Sequence, residues 1–507
     1  MTAVALSRPA RVLRIEIKRS VVLWAVPLLA ALFFFDTFRT ASGLPAVWTV
    51  RSSVITSNMI LDFGPFGAGL AAWVASREGR RKTGDLLATT VRPEWARQAS
   101  ALGATLFWLL LTFLGGVAAL YIDAARVATW GGPPIWPVAV GALEVATLAV
   151  LGFTAGALFP GRFTAPLAAI GALLLCEIGY HASLTTTPGE STYALLSPST
   201  AVPLGDDGVF YHVPPDVAIA QVMFMGGITI AVLGLLALTP MLRGPLVSAI
   251  RRTGRRLCVA GVALLATGAV ASGTAFALAG TAKAGVAGWD IPALHDATSD
   301  HPIPYTPDCL GTAFKVCVHP AFSAYLGAAN AAVQPAAAEI AGLPGAPVRA
   351  EQVVSGGGVR AMQGMGFAGT QVTGISGITG TPPVYTYNSD NDFAPLWGSS
   401  ANANTASWRS AFQQNFLTAF VTGPPHAGPN AFVSNIPAPA QQAVVTALMT
   451  AVGSQAQFPQ VNGAGPASAQ TAAAKRFASL SSAARRAWLA THLSALRAGT
   501  ITLAQIP

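Results

Sequence analysis

The apolar positions of this chain fall in long runs separated by short polar stretches. Seven runs reach the roughly 20 residues that a transmembrane helix needs. They cover about 20–38, 54–76, 99–122, 137–159, 163–182, 218–239 and 257–280, each bounded by Pro, Gly or charge. The first follows basic residues, as a signal peptide would, but the later runs point to a retained anchor. After residue 283 no run is long enough to span a bilayer.

Polar positions between the runs carry a second signal. Arg8, Arg11, Arg14, Lys18 and Arg19 precede the first run. Arg77, Arg80, Arg81, Lys82, Arg92 and Arg97 separate the second from the third. Arg162 separates the fourth from the fifth, and Arg243, Arg251, Arg252, Arg255 and Arg256 separate the sixth from the seventh. The alternate short loops hold only Arg39, Arg51 and Arg126. Basic residues stay on the cytoplasmic side, so a cytoplasmic N-terminus and an outer location for residues 283–507 are expected. The expected architecture is mainly α: a polytopic α-helical protein of the cytoplasmic membrane with about seven transmembrane helices (residues 1–282). A C-terminal extracytoplasmic, mostly helical α+β domain (residues 283–507) follows it.

Composition agrees. Only 10% of residues are charged, against about 25% in an ordinary soluble domain, and mean hydropathy is +0.52. One large soluble enzyme and a disordered chain are both excluded. The net charge of +9 reads as membrane topology, with no nucleic-acid partner implied.

In the tail, helical patterns lie near 320–341, 404–421, 438–453 and 466–498. The last has Ser482 as a cap, Leu489, Leu493 and Leu496 on one face, and Gly499 as a stop. Residues 353–388 are rich in Gly, Thr and Val and suit short strands and turns. Cys309 and Cys317 share this oxidising side and are expected to form a disulfide, the alternative being two free thiols. His319-Pro320 beside them suits a pinned turn that starts a helix. Cys176 and Cys258 fall in the apolar runs as packing residues.

Two cytoplasmic pieces bear on function. Residues 8–19 put Arg11, Arg14 and Lys18 on one helical face and Leu13 and Ile17 on another. That suits a helix lying on the membrane surface, or simply a positive flank. Residues 77–97 begin with charge, continue through Leu86-Leu87-Ala88-Thr89 and reach Pro93. Leu86 and Leu87 would offer a small apolar knob to a cytoplasmic partner; an ordinary basic loop is the alternative.

This segment resembles the cytoplasmic loop of ABC-2-type transporter permeases, which carry a pattern close to R-E-x-G-T-x-E-L-L-x-x-T-P between their second and third membrane helices. Arg77, Glu78, Gly84, Asp85, Leu86, Leu87, Thr89 and Pro93 carry the likeness, with a longer basic stretch and a later proline than that pattern. The resemblance covers about residues 1–240. It implies that the loop is a coupling helix docking on a separate ATP-binding cassette subunit. It also implies that residues 8–19 are an interfacial connecting helix, and that 183–217, with Leu195-Leu196-Ser197-Pro198, holds re-entrant segments. Two such permeases, from this chain twice or from a related partner, would enclose the path for an unknown cargo, and export is favoured. The chain has no G-x-x-x-x-G-K-[ST] loop, so it is not expected to be an enzyme or to bind a cofactor; ATP and Mg would sit on the partner.

Asp62, Glu144 and Glu177 lie inside apolar runs, and Asp36 at the end of the first. A carboxylate at the bilayer centre costs about 2.5–3.5 kcal/mol. The three are expected to form an acidic transport cavity open to the outside, favouring cationic or zwitterionic cargo, or to act as separate structural caps. The same residues would suit a proton-coupled carrier. A further reading is a membrane-anchored external binding or sensing domain.

Other motifs are discounted. Gly364-Met365-Gly366-Phe367-Ala368-Gly369 spells a dinucleotide fingerprint but is followed by strand or turn residues. Asn388–Asp392 resembles a calcium loop with Phe393 where Gly is required. His295, His301, His319 and His426 form no H-E-x-x-H, and no G-x-S-x-G elbow supports an external hydrolase. No metal is expected.

Overall fold

The computed structural model describes residues 8–58, 63–81, 94–185, 191–197, 207–242, 255–285, 288–354, 377–388, 405–424, 437–456, 458 and 468–507. It is mostly helical with a small mixed sheet. Helix α1 (Arg8–Arg19) leads into α2 (Val22–Gly43), which includes a π-helical turn at Phe33–Phe38. Then come α3 (Trp48–Asn58), α4 (Phe63–Ala75), α5 (Arg77–Arg80), α6 (Glu94–Val127), α7 (Trp136–Leu158) and α8 (Thr164–Thr185). Short helices α9 (Thr192–Leu196) and α10 (Asp207–Phe210) precede α11 (Asp216–Leu242) and α12 (Arg255–Ala279).

Among the described residues, six helices are long and apolar enough to cross a membrane: α2, α6, α7, α8, α11 and α12. The second apolar run is covered by α3 and the short apolar α4, and residues 59–62 between them lie outside the described residues. Pro65, lacking an N–H, fits the first turn of α4.

Small residues set the packing. A Cβ on Gly152 or Gly156 of α7 would collide with the backbone of Ala68 or Ala72 of α4. Along α11 and α12, a Cβ on Gly234 would lie 2.6 Å from the Gly261 carbonyl oxygen, and one on Gly268 would meet the backbone of Gly227 and Ala231. Such small residues let helix backbones approach and gain dispersion contacts where lipid removes the hydrophobic drive. Phe63, Leu109, Phe113, Val117 and Phe153 fill the bundle core.

After α12 a short hairpin pairs β1 (Lys283–Ala284) with β2 (Trp289–Asp290). The tail sheet contains β3 (Asp308–Leu310), β4 (Lys315–Val318), β5 (Arg349–Gln352), β6 (Gly377–Thr379) and β7 (Val384–Tyr387), in the order β3-β4-β5-β7-β6. The β4–β5 and β5–β7 pairs are parallel and the outer pairs antiparallel. Helix α13 (Ser323–Ile340) makes the crossover from β4 to β5. Helices α14 (Thr405–Thr422), α15 (Pro439–Ala451), α16 (Ser468–Ser479) and α17 (Ser482–Arg497) complete the core around Phe322, Tyr385, Phe412, Phe416 and Leu448.

The expected helix at 466–498 is therefore two helices. Ser481 caps the second, accepting from Ala484 N–H at 3.3 Å. Ser482 donates instead to Glu339 Oε2 at 3.1 Å. Gly499, at φ +68°, ends it, since only Gly holds that left-handed conformation without strain. The glycine-rich fingerprint at 364–369, Ser389–Asp392 and His426 lie outside the described residues.

The tail core is not closed by the tail alone. Val47 and Val50 of the α2–α4 region and Val209 and Phe210 of α10 are buried within it. Thr129 Oγ1 donates to Pro320 O at 2.8 Å, and Ile303 N donates to Phe210 O at 2.7 Å. Helix α6, about 50 Å long at 1.5 Å per residue, ends just before Thr129. The tail therefore covers the end of the bundle where α6 finishes.

Candidate functional site

At the other end of α6, Arg77, Arg80, Arg81 and Arg162 come together around one cavity. Trp108 Nε1 donates to Ile17 O at 2.8 Å and ties α1 to α6. Glu78 accepts from Arg97 Nε at 3.3 Å and Nη2 at 3.4 Å. This pair joins the two flanks of the coupling segment expected from the sequence. Arg77 and Glu78 lie on α5; Gly84, Asp85, Leu86, Leu87 and Pro93 lie outside the described residues.

Beside that pair is a cavity of about 430 Å³, bordered by Glu16, Trp73, Arg77, Arg80, Arg81 and Arg162. The Arg80 guanidinium carbon stands 3.4 Å from the Trp73 ring centroid, and Nη2 donates to Trp73 O at 2.9 Å. Burial, and then the charge of Arg81, draw the Arg80 pKa below its ordinary value. Gly79 abuts Pro160, so the 160–162 turn closes against α5. The Trp73–Arg80 stack was missed in the sequence; its seven-residue spacing across a helix end was the available signal.

Glu144 and Glu177, two of the carboxylates in the apolar runs, lie in different surroundings. Glu144 on α7 is fully buried. Its Oε1 accepts from Cys176 Sγ at 3.9 Å, and its Oε2 has no hydrogen-bond partner among the described residues. Glu177 on α8 is partly exposed and meets His181 one turn on, at 3.3 Å. Asp62 lies outside the described residues, and Asp36 sits in the π-helical turn. Neither Glu144 nor Glu177 lines either cavity described in this section.

The larger cavity, about 530 Å³, opens at the tail end between α3, α7, α11 and the hairpin. Trp48, Trp130, Trp136, Tyr211 and Trp289 border it, with Thr49, Ser52 and Gln221 as polar points. Gln221 is held by donating to Leu195 O and Ser197 O, both at 3.0 Å. Its lining is largely apolar and aromatic. The tryptophans come from three separate stretches of sequence, so no local pattern announced the site.

Cys309 and Cys317 are paired residues of β3 and β4 and form a disulfide; Cys176 and Cys258 are buried and outside any disulfide. His319 follows directly. Its Nδ1 accepts from Ala321 N–H at 3.1 Å and starts the turn into α13. Its ring packs among Trp130, Phe210 and Tyr305. Burial pushes its pKa down to about 4, against a smaller opposing pull from Asp308.

Compared with family models, curated proteins and solved structures, the chain matches none.

Proposed function

We propose that this chain is the membrane-spanning permease subunit of an ATP-driven ABC-2-type transporter, acting as an exporter with its ATPase on a separate polypeptide. The observation that carries the reading is the segment from Arg77 to Arg97. It bears the coupling-loop pattern, and the Glu78–Arg97 pair holds its two flanks together at the end of α6 remote from the tail. The basic residues gathered at that end support a cytoplasmic orientation for it.

In this reading, ATP binding on the partner displaces the coupling segment. Through Glu78–Arg97 the push reaches α6, whose far end meets the tail. Rigid-body movement of packed helices then alternates the access of the path. The tail-end cavity suits an apolar or aromatic part of the cargo, because its walls are largely tryptophan and aliphatic side chains.

The test is purification of the intact protein from native membranes in mild detergent, with mass spectrometry of co-eluting proteins. A stoichiometric ATP-binding subunit that is lost on Leu86→Asp with Leu87→Asp is expected. Recovery of the chain without any ATPase in several detergents overturns the reading.

A second reading is favoured by the shared core at Val47, Val50, Val209 and Phe210. The bundle would serve as the base of an external binding or sensing domain. Transport that survives tail deletion excludes it. Transport that is indifferent to ATP and sensitive to uncouplers would instead identify a proton-coupled carrier.

A further inference from the structure

Three carboxylates surround a single imidazole where the tail begins. Asp216, the first residue of α11, is fully buried. Asp290 ends β2, and His295 follows in the next turn. Their donor atoms all lie within 4.8 Å of one another. His295 Nδ1 stands 3.2 Å from Asp216 Oδ2 and 3.5 Å from Asp290 Oδ1. On the opposite side of the ring, His295 Nε2 lies 3.3 Å from Asp300 Oδ2.

We propose that Asp216, Asp290 and His295 bind one divalent transition-metal cation of the zinc class. Four observations support this independently of the permease reading. First, a tetrahedral ion with donors at about 2.0 Å has donor–donor edges of about 3.3 Å, and the two imidazole–carboxylate distances straddle that value. Second, Nε2–H donating to Asp300 leaves the Nδ1 lone pair facing Asp216 and Asp290. A carboxylate behind a ligating histidine orients metal sites in this way. Third, among the described residues Asp216 Oδ1 and Asp290 Oδ1 are buried without a hydrogen-bond partner, while Asp216 Oδ2 is positioned by Ile291 N–H at 2.9 Å. Fourth, among the described residues no Lys or Arg forms an ion pair with these carboxylates; their ion-pair contacts are to His295. One imidazole must serve three carboxylates, of which Asp216 is fully buried, and a buried charge without compensation is costly. A mixed imidazole and carboxylate set suits zinc or manganese better than calcium, which takes six to eight oxygens.

The site joins the start of a long apolar helix to the hairpin that follows the last one. Trp289, adjacent to Asp290, forms part of the wall of the tail-end cavity, as do Pro215 and Val217 on either side of Asp216. A bound ion would therefore hold that wall in place.

The experiment uses the full chain in detergent. It is stripped with a chelator, dialysed against equimolar Zn²⁺, and assayed for bound metal and for melting temperature. One zinc per chain and a raised melting temperature are expected. Asp290→Asn and His295→Gln should lose the ion. Asp300→Asn, which leaves all three ligands in place and changes a partly exposed residue, should weaken binding about 10–100-fold. Less than half an ion in the unaltered protein, or equal uptake by Asp290→Asn, overturns the proposal. In either case His295 is an imidazolium held by ion pairs alone. Unchanged affinity in a folded Asp300→Asn protein overturns the orienting role of Asp300.

Discussion

Arg51 Nη1 donates to Asp123 Oδ2 at 3.0 Å, joining α3 to the last turns of α6 just beneath the tail. Arg51 also donates from Nε to Pro45 O at 3.2 Å and from Nη2 to Leu44 O at 3.3 Å. It is one of the few basic residues expected on the outer side, and it is buried and paired rather than free in solvent. Removing one member of a buried pair strands the other. Asp123 is about one-third exposed, which discounts the cost, so Arg51→Met should destabilise the protein by about 2–3 kcal/mol. Asp123→Asn, which still accepts a hydrogen bond, should cost less. Thermal melts in detergent decide it, and equal small effects would show that the pair adds nothing.

Replacing Gly156 by Leu should separate α7 from α4. The added side chain must enter the space of the Ala72 backbone, which cannot rotate away. Gly268→Leu should do the same between α11 and α12. Overpacking of this kind costs about 1–3 kcal/mol or more. Loss of a monodisperse peak in size-exclusion chromatography is the expected readout. Gly115, whose Cβ would meet nothing within 4 Å, is the control and should tolerate Ala.

The His319 environment predicts a pH effect with a definite sign. Its folded pKa, about 4, lies below the ordinary 6.5. Between these values the unfolded chain binds a proton that the folded chain refuses. The contribution is full above pH 6.5 and lost as pH falls toward 4, up to about 3 kcal/mol. His319→Phe should keep the ring packing, lose the Ala321 hydrogen bond at about 1 kcal/mol, and show a shallower loss of stability over that window. A parallel pH profile for the two proteins would refute the assignment.

Reduction should open one disulfide, so alkylation after reduction should add label at Cys309 and Cys317 in peptide mass spectra. Paired serine substitution should cost about 2–3 kcal/mol by the chain-entropy argument for a short loop. Label at either residue without reductant would contradict the bond.

Hydrophobic run length by itself determined that this protein is built from long apolar helices, because covering a bilayer requires a fixed number of apolar residues whatever their partners. The same local logic located the starts of α13, α14 and α15 and the stop at Gly499, and the Cys309–Cys317 bond suited two nearby cysteines on one side. Single residues were less legible. Ser481 rather than Ser482 is the cap because the break at Leu480 depends on where α16 packs. Only the tertiary structure decided that Glu144 faces Cys176 rather than a cavity, and that Trp48, Trp130, Trp136 and Trp289 share one. It also brought Asp216 to His295 across the intervening helix. Most of these relationships join residues separated by tens of positions, and their geometry depends on which helix backbones approach, as at Gly152, Gly156, Gly227 and Gly268. That approach is a property of packed pairs of helices, which no single run of sequence contains.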